Sequence, residues 1–205
     1  MGHIFKIGGG NAVDGRGRLR GVQRISVVGI SGAGKSTLAG RLAERLGIEH
    51  IEIDGLFHQP GWVRLPKDEL RTVVAAKLAA PGWVCDGNYS AVQPLVWERA
   101  DTVVWLDPPR RTVMRQIILR TLRRVITRKE LWNGNRETVR NAFFERGSVI
   151  RWAWTHYTPN HDKYAGAIED PQWTNLNFVR LRSRAEVNRF LAEVNRFREE
   201  SHPPK

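Results

Sequence analysis

One stretch of the chain has residue types and a spacing that suit phosphate chemistry. Residues 29–37 read Gly-Ile-Ser-Gly-Ala-Gly-Lys-Ser-Thr, which fits the GxxxxGKS pattern of phosphate-binding loops. Glycines let backbone N–H groups curl around phosphate oxygens, and the N-terminus of the helix that follows adds partial positive charge. The sequence therefore predicts a nucleotide and Mg²⁺, with Lys35 on the outer phosphates and Ser36 on the metal ion. The predicted nucleotide-binding residues of this loop are Gly29, Ser31, Gly32, Ala33, Gly34, Lys35, Ser36 and Thr37.

Carboxylates stand at the ends of three predicted strands. Asp54, Asp86 and Asp107 each end such a strand, and the carboxyl ends of parallel strands meet at the ligand crevice of an open α/β sheet. Asp54 is a candidate base for an acceptor hydroxyl, or it could hold a water molecule on the magnesium ion. Asp86 is a candidate Mg²⁺ ligand, acting through water, beside Ser36. Glycine follows both residues, so a plain turn is the alternative interpretation. Asp107 precedes two prolines and is interpreted as a helix cap.

Arginines are concentrated in one segment. Residues 110–151 hold twelve basic and three acidic side chains, so this segment contributes +9 to the net charge of +12. Helical spacing over residues 111–128 places Arg120, Arg123 and Arg124 opposite the apolar side. Arg120 and Arg124 are candidates for stabilising charge on a transferred phosphoryl group, and Arg123 is a candidate nucleotide ligand. A solvated helix face or a nucleic-acid-binding surface is the alternative interpretation.

The loop that follows Asp54 holds residues that an acceptor could contact. His58 lies there with Phe57 and Trp62, and it is interpreted as a substrate residue. A metal site at His58 is not favoured, because no second His or Cys stands at ligand spacing. Trp62, and Trp132 further along the chain, are candidates for stacking on a ring.

The elements that must position these residues follow from hydrophobic periodicity and turn signals. Apolar runs predict strands over residues 24–28, 48–53, 83–85, 102–106 and 177–181. Helical spacing predicts helices over residues 36–46, 66–78, 111–128, 137–156 and 184–197.

Composition sets limits on the class of protein. A chain of 205 residues with 41% hydrophobic residues is of a size that usually makes one domain with a full core. Residues 1–23 lack apolar periodicity and are interpreted as a flexible extension, and residues 24–200 as the domain. The single cysteine, Cys85, excludes an intramolecular disulfide, and no run of about 18 apolar residues predicts a membrane span. These features favour a cytoplasmic protein.

Several motifs together resemble a known family. The loop at 29–37, the segments 54–57, 83–89 and 102–107, the arginine-rich helix and the Glu-Leu-Trp-Asn-Gly-Asn-Arg run at 130–136 are similar to the adenylate-kinase-like P-loop proteins known as DNA topology modulation proteins. Over residues 24–197, the resemblance implies an α/β P-loop NTPase fold with a five-stranded parallel sheet, helices on both faces and a helical lid. It also implies ATP as donor, an acceptor-binding insertion at residues 55–82 and a lid region at residues 110–156.

The resemblance has consequences for the acceptor. Arg71 stands where a nucleotide kinase holds the acceptor phosphate, and Arg64 is a second candidate. True adenylate kinases have Asp-Gly-Phe-Pro-Arg where this chain has Asp-Gly-Asn-Tyr-Ser at 86–90, which disfavours AMP.

Two hypotheses of different classes remain from the sequence. The leading one is an ATP-dependent kinase that transfers the γ-phosphate to a small acceptor of nucleotide or metabolite type. The alternative is an ATP-binding regulatory protein that associates with nucleic acid through its basic segment. Neither hypothesis includes a membrane, and the oligomeric state and the identity of the acceptor stay open.

Overall fold

The computed structural model describes residues 23–127, 130–135 and 149–201, and the side chains within these ranges up to residue 196. The extension predicted at residues 1–23 and the first half of the helix predicted at 137–156 lie almost entirely outside the described residues.

Five strands and seven α-helices alternate along the described chain. The strands are β1 Arg24–Gly29, β2 Glu49–Glu52, β3 Trp83–Asp86, β4 Thr102–Leu106 and β5 Asn177–Leu181. The helices are α1 Lys35–Leu46, α2 Ile53–Phe57, α3 Lys67–Lys77, α4 Gln93–Trp97, α5 Arg110–Thr127, α6 Val149–Glu169 and α7 Arg184–Ser201. Short 3₁₀ turns lie at Pro60–Trp62, Trp132–Gly134 and Pro171–Trp173.

The strands form one parallel sheet in the order β2-β3-β1-β4-β5. Strand β1 is therefore central, with β3 and β4 as its hydrogen-bonded neighbours. Because all strands run in the same direction, their carboxyl ends, and the loops that follow them, lie at one edge of the sheet. The predicted α/β fold with a five-stranded parallel sheet is confirmed.

Helices cover both faces of the sheet. On one face, α1 and α7 pack on alternate residues of β1 and β4, with Leu42 and Phe190 fully buried. On the other face, α3, α4 and α6 cover an aromatic core that includes Trp97, Trp105 and Tyr164. Burial of both faces explains the nearly continuous apolar runs of β1, β3 and β4.

Helices α5 and α6 form a pair at the end of the sheet that holds the phosphate loop. Val113 and Ile117 of α5 and Ala153 of α6 bury Ile30 of the loop. The buried stripe of α5 is Val113, Ile117 and Thr121. Leu122 of the same helix is apolar but 41% exposed.

Helix α6 differs most from the prediction. The described part continues to Glu169 with Pro159 inside it, whereas the predicted helix ended at His156. Proline in a helix interior removes one hydrogen bond and commonly ends the helix, but α6 continues through Pro159. Tyr164, which is 1% exposed and packs against Trp97 and Trp105, shows the packing that holds the last turns in place.

Asp107 is not a helix cap. Its Oδ2 accepts a hydrogen bond of 2.9 Å from Nε of Arg180, whose guanidinium lies 4.3 Å from the ring centre of Trp105. Asp107 therefore joins the ends of β4 and β5, and α5 begins three residues later.

Gly29 is required by the close approach of β1 to β4. It adopts φ 141°, and a Cβ there would lie 2.4 Å from the carbonyl oxygen of Leu106. We expect Gly29→Ala to lower the free energy of unfolding by about 3 kcal/mol, because the methyl group meets backbone in a conformation that alanine avoids. Chemical denaturation measures this effect. Gly166→Ala, in α6 with open space around the added methyl, is the matched control and is expected to be neutral or slightly stabilising. Equal stability of both variants would contradict the packing described for Gly29.

Candidate functional site

The phosphate-loop motif joins the end of β1 to α1. Gly32 and Gly34 adopt φ values of 87° and 99°, and a Cβ on Gly32 would lie 3.0 Å from Cβ of Ile117. No side chain caps the N-terminus of α1. The first backbone N–H groups of the helix are therefore available to an anion, as a phosphate site requires.

Lys35 is half-buried at the start of α1. Its Nζ donates a hydrogen bond of 3.3 Å to the carbonyl oxygen of Ile30. Burial lowers the pKa of Lys35, the nearby carboxylates of Asp54 and Asp86 oppose this effect, and Arg120 adds to it. These four side chains are therefore close enough to interact through charge.

Ser36 and Asp86 form the pair that could hold a metal ion. The Ser36 hydroxyl donates a hydrogen bond of 2.7 Å to Oδ2 of Asp86, and Asp86 is only 2% exposed. Mg²⁺ is usually held by one or two protein oxygens together with substrate phosphates, so a hydroxyl beside a carboxylate at a phosphate loop fits this ion. No cluster of three or more His, Cys, Asp or Glu occurs among the residues that the structure describes, and a metal site built from protein ligands alone is not indicated there.

His50 is a partner of Asp86 that the sequence analysis missed. Its Nε2 lies 2.8 Å from Oδ1 of Asp86, and this hydrogen bond raises the pKa of His50. Both oxygens of Asp86 are therefore engaged, one by α1 and one by β2. The alternation of β2 could have indicated this contact, because His50 and Glu52 lie on the strand face opposite the buried Ile51.

Asn88 connects the phosphate loop to β3 and α6. Its Nδ2 donates to the carbonyl oxygen of Gly29, and its Oδ1 accepts from the Gly29 N–H at 3.3 Å. The Tyr164 hydroxyl donates to the same Oδ1 at 3.0 Å. Because the Asn88 amide bonds both the backbone N–H and the carbonyl oxygen of Gly29, it holds the end of β1 at a fixed distance from β3.

Asp54 lies in the first turn of α2, one element later than the strand end that was predicted. The Tyr89 hydroxyl donates a hydrogen bond of 2.6 Å to its Oδ1. Burial and the carboxylate of Asp54 raise the pKa of Tyr89, so the phenol stays a donor. One carboxylate oxygen of Asp54 thereby accepts from Tyr89, and no hydrogen bond or ion pair between described residues engages the other oxygen.

The segment 130–135 packs against the predicted acceptor-binding insertion. Nε1 of Trp132 donates to Oε2 of Glu52 at 2.7 Å, and its ring stacks on His58 with centres 5.9 Å apart. Asn133 donates to the carbonyl oxygen of His58 at 2.6 Å, and Asn135 to that of Gln59 at 2.9 Å. These contacts bring two distant parts of the chain together on one side of Asp54.

These elements enclose one cleft of about 690 Å³. Residues 31–37 of the phosphate loop line its centre, Glu52, Asp54 and Trp132 line one end, and residues 181–184 with Val187 and Asn188 line the other. The second end, after β5, was missed, although it lies at the carboxyl edge of the sheet where ligands bind.

The structure brings only part of the predicted site to this cleft. Arg120 and Arg124 line it. Arg123, Arg64 and Arg71 are exposed and are not among the lining residues, and Arg71 donates to the carbonyl oxygen of Ala91 at 2.7 Å. His58 is half-buried beside Trp132, and burial lowers its pKa.

Comparisons with solved structures identify the fold. The chain is similar to a gluconokinase from Sinorhizobium meliloti 1021, with a TM-score of 0.50 and 19% identity over 89% of this chain and 97% of that one. Two further similar structures are shikimate kinases, from Acinetobacter baumannii in complex with shikimate and from Bacteroides thetaiotaomicron. Each is 15% identical, with TM-scores of 0.49 and 0.48, over 90% and 87% of this chain and 97% and 98% of theirs. No protein-family model and no curated relative matches the sequence. The chain has the fold of the P-loop kinases.

Asn88 offers a test of how the loop is held. We expect Asn88→Asp to lower the free energy of unfolding by about 1–3 kcal/mol, because a carboxylate oxygen then faces the carbonyl oxygen of Gly29. Chemical denaturation measures this effect. Asn175→Asp, at an exposed position, is the control for the added charge. An Asn88→Asp variant as stable as this control would show that the amide does not hold β1.

Proposed function

We propose that the protein is an ATP-dependent phosphotransferase that acts on a small hydroxyl-bearing acceptor. One observation supports it above the others. A phosphate loop, a carboxylate and two arginines line the same cleft, through Lys35, Asp54, Arg120 and Arg124.

ATP and Mg²⁺ are the donor and metal ion of this proposal. The N–H groups of the loop and Lys35 would hold the β- and γ-phosphates, and Ser36 with Asp86 would hold the ion. Bound Mg²⁺ supplies neutralisation of charge on the phosphates. His50 keeps the Asp86 carboxylate oriented toward α1 through its hydrogen bond.

Asp54 is assigned the role of base. The acceptor oxygen forms a bond to the γ-phosphorus, the bond from that phosphorus to the β,γ-bridging oxygen breaks, and ADP leaves with that electron pair. The acceptor's proton passes to the carboxylate oxygen of Asp54 that Tyr89 leaves free. Tyr89 is a positioning residue, because its hydroxyl fixes the other oxygen.

Arg120 and Arg124 are assigned to the charge of the transferred group. They lie one helical turn apart on α5, and the proximity of Arg120 contributes to the lowered pKa of Lys35. Both observations support a position near the outer phosphates. Arg123 is exposed and does not line the cleft, so this proposal gives it less weight as a nucleotide ligand than the sequence analysis did.

Within the P-loop kinases, sequence resemblance favours the adenylate-kinase-like group that includes the DNA topology modulation proteins. The run at 130–136 belongs to that resemblance, and the contacts of its residues Asn133 and Asn135 with the insertion support a role in the acceptor site. AMP is not the favoured acceptor.

The single buried Cys85 supports the cytoplasmic location included in this proposal. Among the described helices, none is long and apolar enough to cross a bilayer.

The alternative is a regulatory protein that binds nucleic acid through its basic segment. Arg111, Arg115 and Arg123 are exposed on α5, which supports an electrostatic contact with a polyanion. We rank it second because Arg120 and Arg124 are directed to the cleft.

The role of Asp54 can be tested directly. We expect Asp54→Asn to keep its affinity for ATP but to lose at least 10²-fold in turnover, because an amide cannot accept the proton. Acceptor-dependent release of ADP, screened over nucleosides, nucleotides and sugars, measures turnover. Asp68→Asn, at an exposed position of α3, is the control. Wild-type turnover in Asp54→Asn would remove this residue from the mechanism, and no transfer by the native protein to any acceptor would refute the proposed function.

The arginines of α5 separate the two functions. We expect Arg120→Ala to reduce turnover by about 10³-fold with a smaller loss of ATP affinity, since its charge acts on the transferred group. Arg123→Ala is the comparison variant from the exposed side of the helix. If nucleic acid is the partner instead, Arg123→Ala weakens DNA binding and lowers the salt slope by about one, while turnover in both variants stays normal. Measuring both properties on both variants distinguishes these outcomes.

A further inference from the structure

The end of the cleft next to α2 is acidic. Glu52 and Asp54 both line it, beside Trp132. Glu52 is the last residue of β2, and the register of the sheet pairs it with Asp86 of β3. Its neighbours Ile51 and Ile53 are buried, at 1% and 2% exposure, whereas Glu52 is half-buried. The alternation of the strand therefore directs the Glu52 carboxylate away from that core.

The conformation of Glu52 is fixed by Trp132. The indole N–H donates to Oε2 of Glu52 at 2.7 Å. The same ring packs on Gly55, where a Cβ would lie 2.9 Å from Cδ1 of Trp132. The ring also stacks on His58. One oxygen of Glu52 thus accepts from the indole, and within the described ranges Oε1 has no hydrogen-bond partner, so it can take one from a ligand.

The negative charge at this end of the cleft is not neutralised by an ion pair between described residues. The ion pairs of the described ranges include neither Glu52 nor Asp54. Lys35 is close to Asp54, but it is held at Ile30 in the phosphate loop. Arg71, which could have met an acidic acceptor, is bonded to the carbonyl oxygen of Ala91. Arg64 is exposed and forms no ion pair with Glu52 or Asp54, although its charge is near enough to oppose the rise in the pKa of Tyr89 and to lower the pKa of His58.

We propose that the acceptor is a neutral or amino-substituted polyhydroxy compound without phosphate or carboxylate, and that Glu52 is a residue that determines this specificity. Ionised carboxylates only accept hydrogen bonds, so they select hydroxyl and ammonium donors. The free oxygens of Glu52 and Asp54 can each take one such donor, and the Trp132 ring offers an apolar face to the C–H groups of the same molecule. A carboxylate or phosphate in this place would face two like charges.

The expected size of this discrimination follows from Coulomb's law. Two like charges about 5 Å apart in a partly buried site repel enough to weaken binding by roughly a hundredfold. Removing one of the two acidic charges should therefore strengthen binding of an anionic ligand by about tenfold.

This inference rests on the proposed phosphotransferase activity, and the experiment uses acceptors that differ only in charge. Sorbitol, glucamine and gluconate differ at a single carbon, as neutral, cationic and anionic members. Uridine and UMP form a second pair. With ATP and Mg²⁺, we expect ADP release with the neutral or cationic members of at least one set and no release with the anionic partner. The anionic partner should be a weak competitive inhibitor, about a hundredfold poorer than its counterpart.

Glu52→Gln is the diagnostic variant. The amide oxygen can still accept from Trp132, while the charge is lost. We expect the inhibition constant of the anionic partner to fall about tenfold, with the KM for ATP unchanged. Glu49→Gln removes a charge from the same strand at an exposed residue that pairs with Lys77 at 2.6 Å. This matched control should leave the inhibition constant unchanged, and thermal denaturation checks that both variants fold.

The possible results separate this inference from the proposed function. Transfer to an anionic acceptor as fast as to its neutral partner overturns the inference and leaves the phosphotransferase intact. An unchanged inhibition constant in Glu52→Gln overturns the role of Glu52. Transfer to no member of either set, charged or not, overturns the inference and counts against phosphotransfer itself.

Discussion

The hydrogen bond between Ser36 and Asp86 is the contact on which the arrangement of the site depends. It joins the first turn of α1 to the end of β3 at 2.7 Å, while the other oxygen of the same carboxylate is held by His50 of β2. One nearly buried side chain thus relates the phosphate loop to two strands. A charged group at 2% exposure is stable only when its oxygens have such partners. The hydrogen bond that satisfies the buried Asp86 carboxylate also places it beside the Ser36 hydroxyl, and these are the two groups suited to a metal ion.

A second set of hydrogen bonds connects the phosphate loop to helix α6. Asn88 holds both backbone groups of Gly29, and Tyr164 of α6 holds Asn88. Tyr164 is itself surrounded by the aromatic core with Trp97 and Trp105. The phosphate-loop motif is therefore supported by Asn88, which follows β3, and by Tyr164 of α6 as well as by its own glycines. Such support restricts the loop to one conformation before a ligand arrives, which reduces the entropy lost on binding.

The local parts of the molecule could be predicted from the sequence, whereas the contacts between distant parts could not. The loop at 29–37 and strand β4 follow from glycine chemistry and apolar runs, and both are observed. Trp132 was recognised only as a candidate for stacking, because its partners Glu52 and Gly55 are about 80 residues away and no short-range pattern links them. Helix α6 continues through Pro159 to Glu169, beyond the predicted end at His156, because tertiary packing outweighs the local effect of proline. The helical period selected three neighbouring arginines, but it could not decide which of them turn toward the cleft.

The eight tryptophans of the chain lie in different surroundings. Trp83, Trp97 and Trp105 are almost completely buried in the core, so their emission reports on the packing of the sheet. Trp132 is half-buried at the cleft, with its N–H on a carboxylate and its ring on His58. The emission of an indole is sensitive to neighbouring charge and to water, so a molecule that settles beside Glu52 alters Trp132 while the core residues keep their spectrum. Because Trp152 and Trp154 are exposed and also emit, the change that belongs to Trp132 is the difference between the native protein and a Trp132→Phe variant.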